Sequence, residues 1–110
     1  MHLDLVMGVP GGMPGTTAAL VACTTALADL PEGTTFSATG IGRTAIPVML
    51  ASLSAGGHLR VGMEDTVTYA KGQPVESNAQ LVERAAAIGA LAQRHPMKPE
   101  EARELVGVRR

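Results

Sequence analysis

The chain has 110 residues, 45% of them apolar, with nine Lys and Arg against ten Asp and Glu. This length supports one small domain at most, and a net charge of −1 leaves no clustered basic footprint for nucleic acid or anionic lipid. Cys23 is the single cysteine, which excludes an internal disulfide and a zinc finger and suits a reducing, cytoplasmic setting.

The stretch before Pro10 has no basic start and no apolar run long enough for a signal peptide or a spanning helix. Neither nucleic acid nor a membrane is therefore expected as a partner. With one Phe, one Tyr and no Trp, the core has to be built from Val, Leu, Ile, Met and Ala, which bury less area per residue than aromatics do.

The run Leu3–Met7 is short and apolar and stops at Gly8, Val9, Pro10, Gly11 and Gly12, the pattern of a largely buried strand entering a glycine-rich turn. Thr16 or Thr17 can cap the helix that follows, in which Leu20, Cys23 and Leu27 recur at helical spacing until Pro31, Glu32 and Gly33. A second unit repeats the pattern. Thr34–Thr39 predicts a strand, Gly40, Ile41 and Gly42 a tight turn, and the residues from about Thr44 a helix with Pro47 in its first turn and Leu50 and Leu53 on its buried stripe. Gly56 and Gly57 are placed to close it in a left-handed cap.

The third unit begins with a strand over His58–Met63 and passes through a long loop containing Lys71, Gly72, Gln73 and Pro74. Ser77 is the predicted N-cap of an amphipathic helix with Leu81, Ala85, Ile88 and Ala92 on its apolar face, ended by His95 and Pro96. Pro99–Leu105 predicts a last short helix with acids in its first turn and Gly107 beyond its end.

Strand and helix alternating three times imply an α/β fold of parallel strands. A parallel sheet has to be covered on both faces or closed, and a (β/α)8 barrel takes eight strands and typically ~250 residues. Three consecutive β/α units therefore predict an incomplete barrel segment, whose edge strands need other polypeptide to cover them.

Ligands of parallel α/β proteins sit at the carboxyl ends of the strands. The glycines from Gly8 to Gly15 could bring amide groups close to an anion or could serve only a sharp turn. Gly40-Ile41-Gly42-Arg43-Thr44 offers positive charge near a helix start, but lacks the remaining elements of a dinucleotide fingerprint or a P-loop. The third strand is the most informative: Arg60 interrupts an apolar run, and Glu64 and Asp65 stand at its end, where charges are costly unless paired or ligating. Arg60 and Glu64 would face the same side, and a turn after Glu64 would return Asp65 to Arg60. A purely structural ion pair with a capping acid fits the same spacing. His2, His58 and His95 form no His-x-His or His-x-x-x-His, so this chain cannot complete an ordinary three-ligand zinc site alone.

Gly56-Gly57-His58-Leu59-Arg60-Val61-Gly62-Met63-Glu64-Asp65, then Lys71-Gly72 and Ser77-Asn78-Ala79-Gln80-Leu81-Val82, resembles the end of the β-keto acid cleavage enzymes, the family of 3-keto-5-aminohexanoate cleavage. Met7–Pro14 is similar to that family's loop after the sixth strand, Gly40–Arg43 to the loop after the seventh, and Pro99–Leu105 to its terminal helix. The resemblance implies a zinc-dependent (β/α)8 acyltransferase that turns a β-keto acid and acetyl-CoA into an acyl-CoA and acetoacetate. It assigns Glu64 as a zinc ligand, and Arg60 and Asp65 as the catalytic pair that deprotonates the substrate beside its carbonyl. It assigns no residue of this chain to acetyl-CoA.

In these terms residues 1–110 form the carboxyl-terminal segment of a barrel domain with no internal domain boundary, inactive without the amino-terminal barrel segment that carries a His-x-His pair. That segment or further copies of the chain are the expected protein partners. The competing reading is a non-catalytic module that holds a CoA phosphate at Gly40–Thr44 or pairs its strand edges with another chain.

Overall fold

In the computed structural model, which describes residues 1–108, strands β1 (His2–Met7), β2 (Thr35–Gly40) and β3 (His58–Leu59) form one parallel sheet in that order. Helix α1 (Thr17–Leu27) joins β1 to β2, and α2 (Ala45–Ser54), entered through a 3-10 turn at Gly42–Thr44, joins β2 to β3. A two-stranded hairpin, β4 (Thr68–Ala70) with β5 (Gln73–Pro74), leads into α3 (Asn78–Leu91) and α4 (Pro99–Val106). Among the described residues no helix is long and apolar enough to cross a membrane.

Local chemistry explains where the helices start and stop. The Thr16 side chain accepts from the Ala19 N–H at 3.2 Å, and Ser77 accepts from the Gln80 N–H at 3.1 Å, each satisfying an amide that has no partner within the helix. Helix α4 starts at Pro99, with the Lys98 N–H donating to Glu101 Oε2 at 2.9 Å, and ends at Gly107 with φ 69°, a left-handed conformation that costs glycine nothing.

Alternation along the strands gives the sheet two unlike faces. Leu5, Met7 and Ala38 point toward the helices and pack with Ala19, Leu20, Val48 and Ala51. Leu20 and Val48 are fully buried, and burying a side chain of this size stabilises the fold by about 1.5–3 kcal/mol. His2, Asp4, Thr35, Ser37, Thr39, His58 and Arg60 occupy the other face, and His2, Ser37, His58 and Arg60 line a groove that α3 and α4 also border.

The structure departs from the sequence expectations in four places. On α2 the buried residues are Val48, Met49, Ala51 and Ser52, whereas Leu50 is 51% exposed and Leu53 half-buried; in a helix this uniformly apolar, spacing does not tell the faces apart. Strand β3 pairs only through His58 and Leu59, with one further bond from the Arg60 N–H to the Ala38 carbonyl at 3.4 Å, because the chain turns at Gly62 rather than after Glu64. Residues 68–74, expected as loop, form the β4–β5 hairpin around Lys71 and Gly72. Helix α3 ends before His95: Gln93 adopts φ 60°, and the Arg94 N–H returns to the Gly89 carbonyl at 2.8 Å, closing the helix as a Schellman turn does.

The two leucines offer a direct check of these faces. Leu20→Ala should lower unfolding stability by about 2–5 kcal/mol, whereas Leu50→Ala should change it by less than about 0.5 kcal/mol; urea denaturation of the two variants measures the difference.

Candidate active site

The carboxyl ends of the three strands are drawn together by the loop after β2. The Ile41 N–H donates to the Met7 carbonyl at 3.0 Å, and the next amide, Gly42 N–H, donates to the Asp65 carbonyl at 2.7 Å. Thr44 fills the gap to the first loop: a Cβ at Gly8 or Gly15 would overlap its side chain, and Gly8 also holds φ 91°. The Gly8 N–H is taken by the Met13 carbonyl at 2.8 Å and the Gly12 N–H by the Val9 carbonyl at 2.9 Å. Gly8 and Gly15 serve close packing, and the Gly8 and Gly12 amides are already committed within the loop.

Arg60, Glu64 and Asp65 come together at the mouth of the sheet. Arg60 Nη2 lies 2.5 Å from Glu64 Oε1, and Nη1 donates to Asp65 Oδ2. One guanidinium thus spans two carboxylates, the planar fork that arginine offers and lysine does not. The turn that makes this possible is closed by the Asp65 and Thr66 N–H groups on the Gly62 carbonyl, at 3.1 and 3.2 Å. The Glu64 carboxylate folds back over Gly62, into the space a Cβ would take.

The expected pairing of Arg60 with both acids is therefore present. Burial does not enforce it, since the Arg60, Glu64 and Asp65 side chains are 42%, 58% and 16% exposed, and exposed ion pairs contribute about 0–1 kcal/mol. Glu64 Oε2 has no hydrogen-bond partner among the described residues, so one carboxylate oxygen is free to ligate. No group of three His, Cys, Asp or Glu among the described residues could hold a metal ion. A carboxylate oxygen is an ordinary zinc donor, so Glu64 offers one ligand, and the described residues do not make up a complete site.

Beneath Arg60 the same face continues as a polar ladder. Asp4 accepts from Ser37 at 2.6 Å and from Thr39 at 2.9 and 3.2 Å, although Ser37 and Thr39 are themselves buried. At the far end the His2 Nδ1 and Thr35 Oγ1 atoms are 2.8 Å apart, and the His2 and His58 rings lie 6.0 Å apart. Sequence reasoning did not single out this ladder; the polar residues at alternate positions 2 and 4, 35, 37 and 39, and 58 and 60 were its available signal. His95 lies beyond α3, on the same groove as His2 and His58, without a hydrogen bond to either group among the described residues.

Burial holds the His58 pKa below its ordinary value of 6.5, and the positive charges of Arg94 and His2 add to the effect. The folded chain then binds less proton at His58 than the unfolded chain does. The stability contribution of neutral His58 is complete above 6.5 and is lost as the pH falls through the lower folded value. Between about pH 7 and about pH 5, His58→Gln should lose less stability than the parent; urea denaturation over that range checks the sign.

Comparison with known proteins supplies an independent line. A family model described as beta-keto acid cleavage enzyme matches residues 1–108. The chain is 37% identical over 108 residues to a 3-keto-5-aminohexanoate cleavage enzyme of Acetoanaerobium sticklandii, covering 98% of this chain and 38% of the relative. It is 39% identical over 101 residues to a 3-dehydrocarnitine:acetyl-CoA trimethylamine transferase of Rhizobium meliloti, covering 92% and 32%. With a 3-oxoadipate:acetyl-CoA acetyltransferase of Cupriavidus necator it shares 34% over 108 residues, covering 98% and 38%. The chain thus spans less than two fifths of the length of each of these three relatives.

Proposed function

Because this chain belongs to the beta-keto acid cleavage enzyme family, we propose that it supplies the last three β/α units of a zinc-dependent (β/α)8 enzyme. The reaction is that of a β-keto acid with acetyl-CoA, giving an acyl-CoA and acetoacetate. The observation that carries this reading is the fork of Arg60 onto Glu64 and Asp65 at the carboxyl end of β3, where enzymes of this architecture hold their chemistry.

Residues 1–110 are then one continuous piece of a barrel domain, and the uncovered surfaces are where the remainder joins. The free edge of β3 opens into a groove of about 700 Å³ in which Leu59, Val82 and Leu105 form an apolar part beside His58, Arg60 and Arg94. An additional strand would pair there with β3 while its helix covered the apolar lining. Without that addition the barrel lacks most of its substrate loops, and the chain alone is inactive.

Glu64 would hold the zinc through Oε2 while Arg60 keeps Oε1. When bound, the zinc polarises the substrate's keto oxygen and stabilises the negative charge that develops there. Arginine is cationic at any working pH, so Arg60 can take a proton only by first giving one up. The Nη1 proton passes to Asp65 Oδ2, and the neutral guanidine takes the proton from the carbon beside the keto group. Removal of water by the completed barrel favours this exchange, because a separated charge pair loses solvation there.

Two measurements test the reading. In the barrel assembled with an amino-terminal segment, Asp65→Asn and Arg60→Lys should each slow exchange of the substrate α-proton into deuterated water by about 100-fold or more, with the fold retained by circular dichroism. Exchange at the parent rate in both would make the pair structural. By calorimetry, the isolated chain should bind zinc weakly and the assembled barrel tightly. Glu64→Gln should weaken the tight site by at least about tenfold, the loss that even an outer partner of a metal ligand causes.

A further inference from the structure

Glu64 stands in the turn between two residues that are each tied to a different part of the fold. On one side the Asp65 carbonyl accepts from the Gly42 N–H at 2.7 Å. On the other the Met63 N–H donates to the Asn78 side-chain oxygen at 2.8 Å. The first tie is made by backbone alone. The second depends on a side chain, fifteen residues onward in the sequence, at the first position of α3.

Helix capping does not call for an amide at that position. Ser77 already caps the helix, accepting from the Gln80 N–H at 3.1 Å, and Gln80 Oε1 accepts from the Glu76 N–H at 2.9 Å. Those two bonds fix the start of the helix and leave Asn78 free to reach back across the turn. The ion pair of Arg60 with Glu64 is too exposed to set the turn unaided, and Gly62 contributes room but no restraint. Among the described residues Asn78 is thus the side chain that anchors the backbone next to Glu64.

We propose that Asn78 is a positioning residue for Glu64: its amide oxygen holds the Met63 N–H and thereby sets where the Glu64 carboxylate stands relative to Arg60. It acts through Met63 and needs no contact with substrate or metal. The consequence for zinc rests on the assignment of Glu64 as a ligand, whereas the anchoring of the turn does not.

Two variants separate the acceptor oxygen from the shape of the side chain. Asn78→Asp keeps an acceptor in the same place, and Asn78→Leu keeps the volume without one. In the chain itself, amide exchange by nuclear magnetic resonance should show Met63 protected in the parent and in Asn78→Asp. In Asn78→Leu it should exchange on the order of fivefold faster, the effect of one net hydrogen bond, with the thermal midpoint lowered by no more than about 4–8 °C. In the assembled barrel, competition with a chromophoric chelator should show zinc bound about tenfold more weakly by Asn78→Leu and restored by Asn78→Asp.

The proposal is overturned if the Met63 amide is unprotected in the parent, if it exchanges equally in the parent and Asn78→Leu, or if Asn78→Asp fails to restore protection. It is overturned as well if zinc affinity in the assembled barrel does not follow the acceptor oxygen. Failure of the parent barrel to bind zinc removes the metal assignment, and the exchange data alone then decide whether Asn78 anchors the turn.

Discussion

Two adjacent amide groups hold the working end of this structure together. Ile41 and Gly42 follow each other in the chain, yet their N–H groups bond in opposite directions, one to Met7 at the end of β1 and the other to Asp65 beyond β3. Consecutive amides of an extended chain point to opposite sides, so a single loop can hold both of its neighbours. Thr44, seated against Gly8 and Gly15, keeps that loop from lifting away. The position of Asp65, and with it the Arg60 fork, follows from a contact made by a residue of the second unit.

The two faces of the sheet are built on different physics. One is ordinary apolar packing, with Leu20 and Val48 fully buried against Met7 and Ala38. The other carries Asp4, Ser37, Thr39, His58 and Arg60, where a parallel barrel usually stacks branched aliphatic side chains. Asp4 accepts hydrogen bonds from the hydroxyls of both Ser37 and Thr39, so the ladder is satisfied largely from within. Such a face can be enclosed without the penalty that unpaired polar groups would bring, which reconciles a hydrophilic strand such as Thr35–Gly40 with a central place in a sheet.

Much of this arrangement was legible in the sequence, and the limits of that legibility have physical causes. The order of strands and helices, the caps at Thr16 and Ser77 and the left-handed stop at Gly107 follow from local chemistry that a few neighbouring residues determine. The grouping of Arg60, Glu64 and Asp65 could be read because all three lie within six positions. The buried face of α2 could not, since Ile46, Val48, Met49, Leu50 and Leu53 make nearly every side of that helix apolar. The β4–β5 hairpin escaped because its strands are two and three residues long, shorter than any reliable alternation. The bond from Met63 to Asn78 and the fit of Thr44 against Gly8 and Gly15 join residues far apart in the chain, and spacing carries no trace of them.

The hairpin that follows the Gly62–Thr66 turn is fastened to α3 by Arg84, which donates to the Tyr69 carbonyl at 2.6 Å and places its guanidinium carbon 4.4 Å from the centre of the Tyr69 ring. Tyr69 is the sole tyrosine, and the chain has no tryptophan. Nearly all of its near-ultraviolet absorbance and intrinsic emission therefore comes from one ring, four residues beyond Asp65. Within this chain, then, intrinsic emission reports on the hold of Arg84 on the hairpin and on almost nothing else.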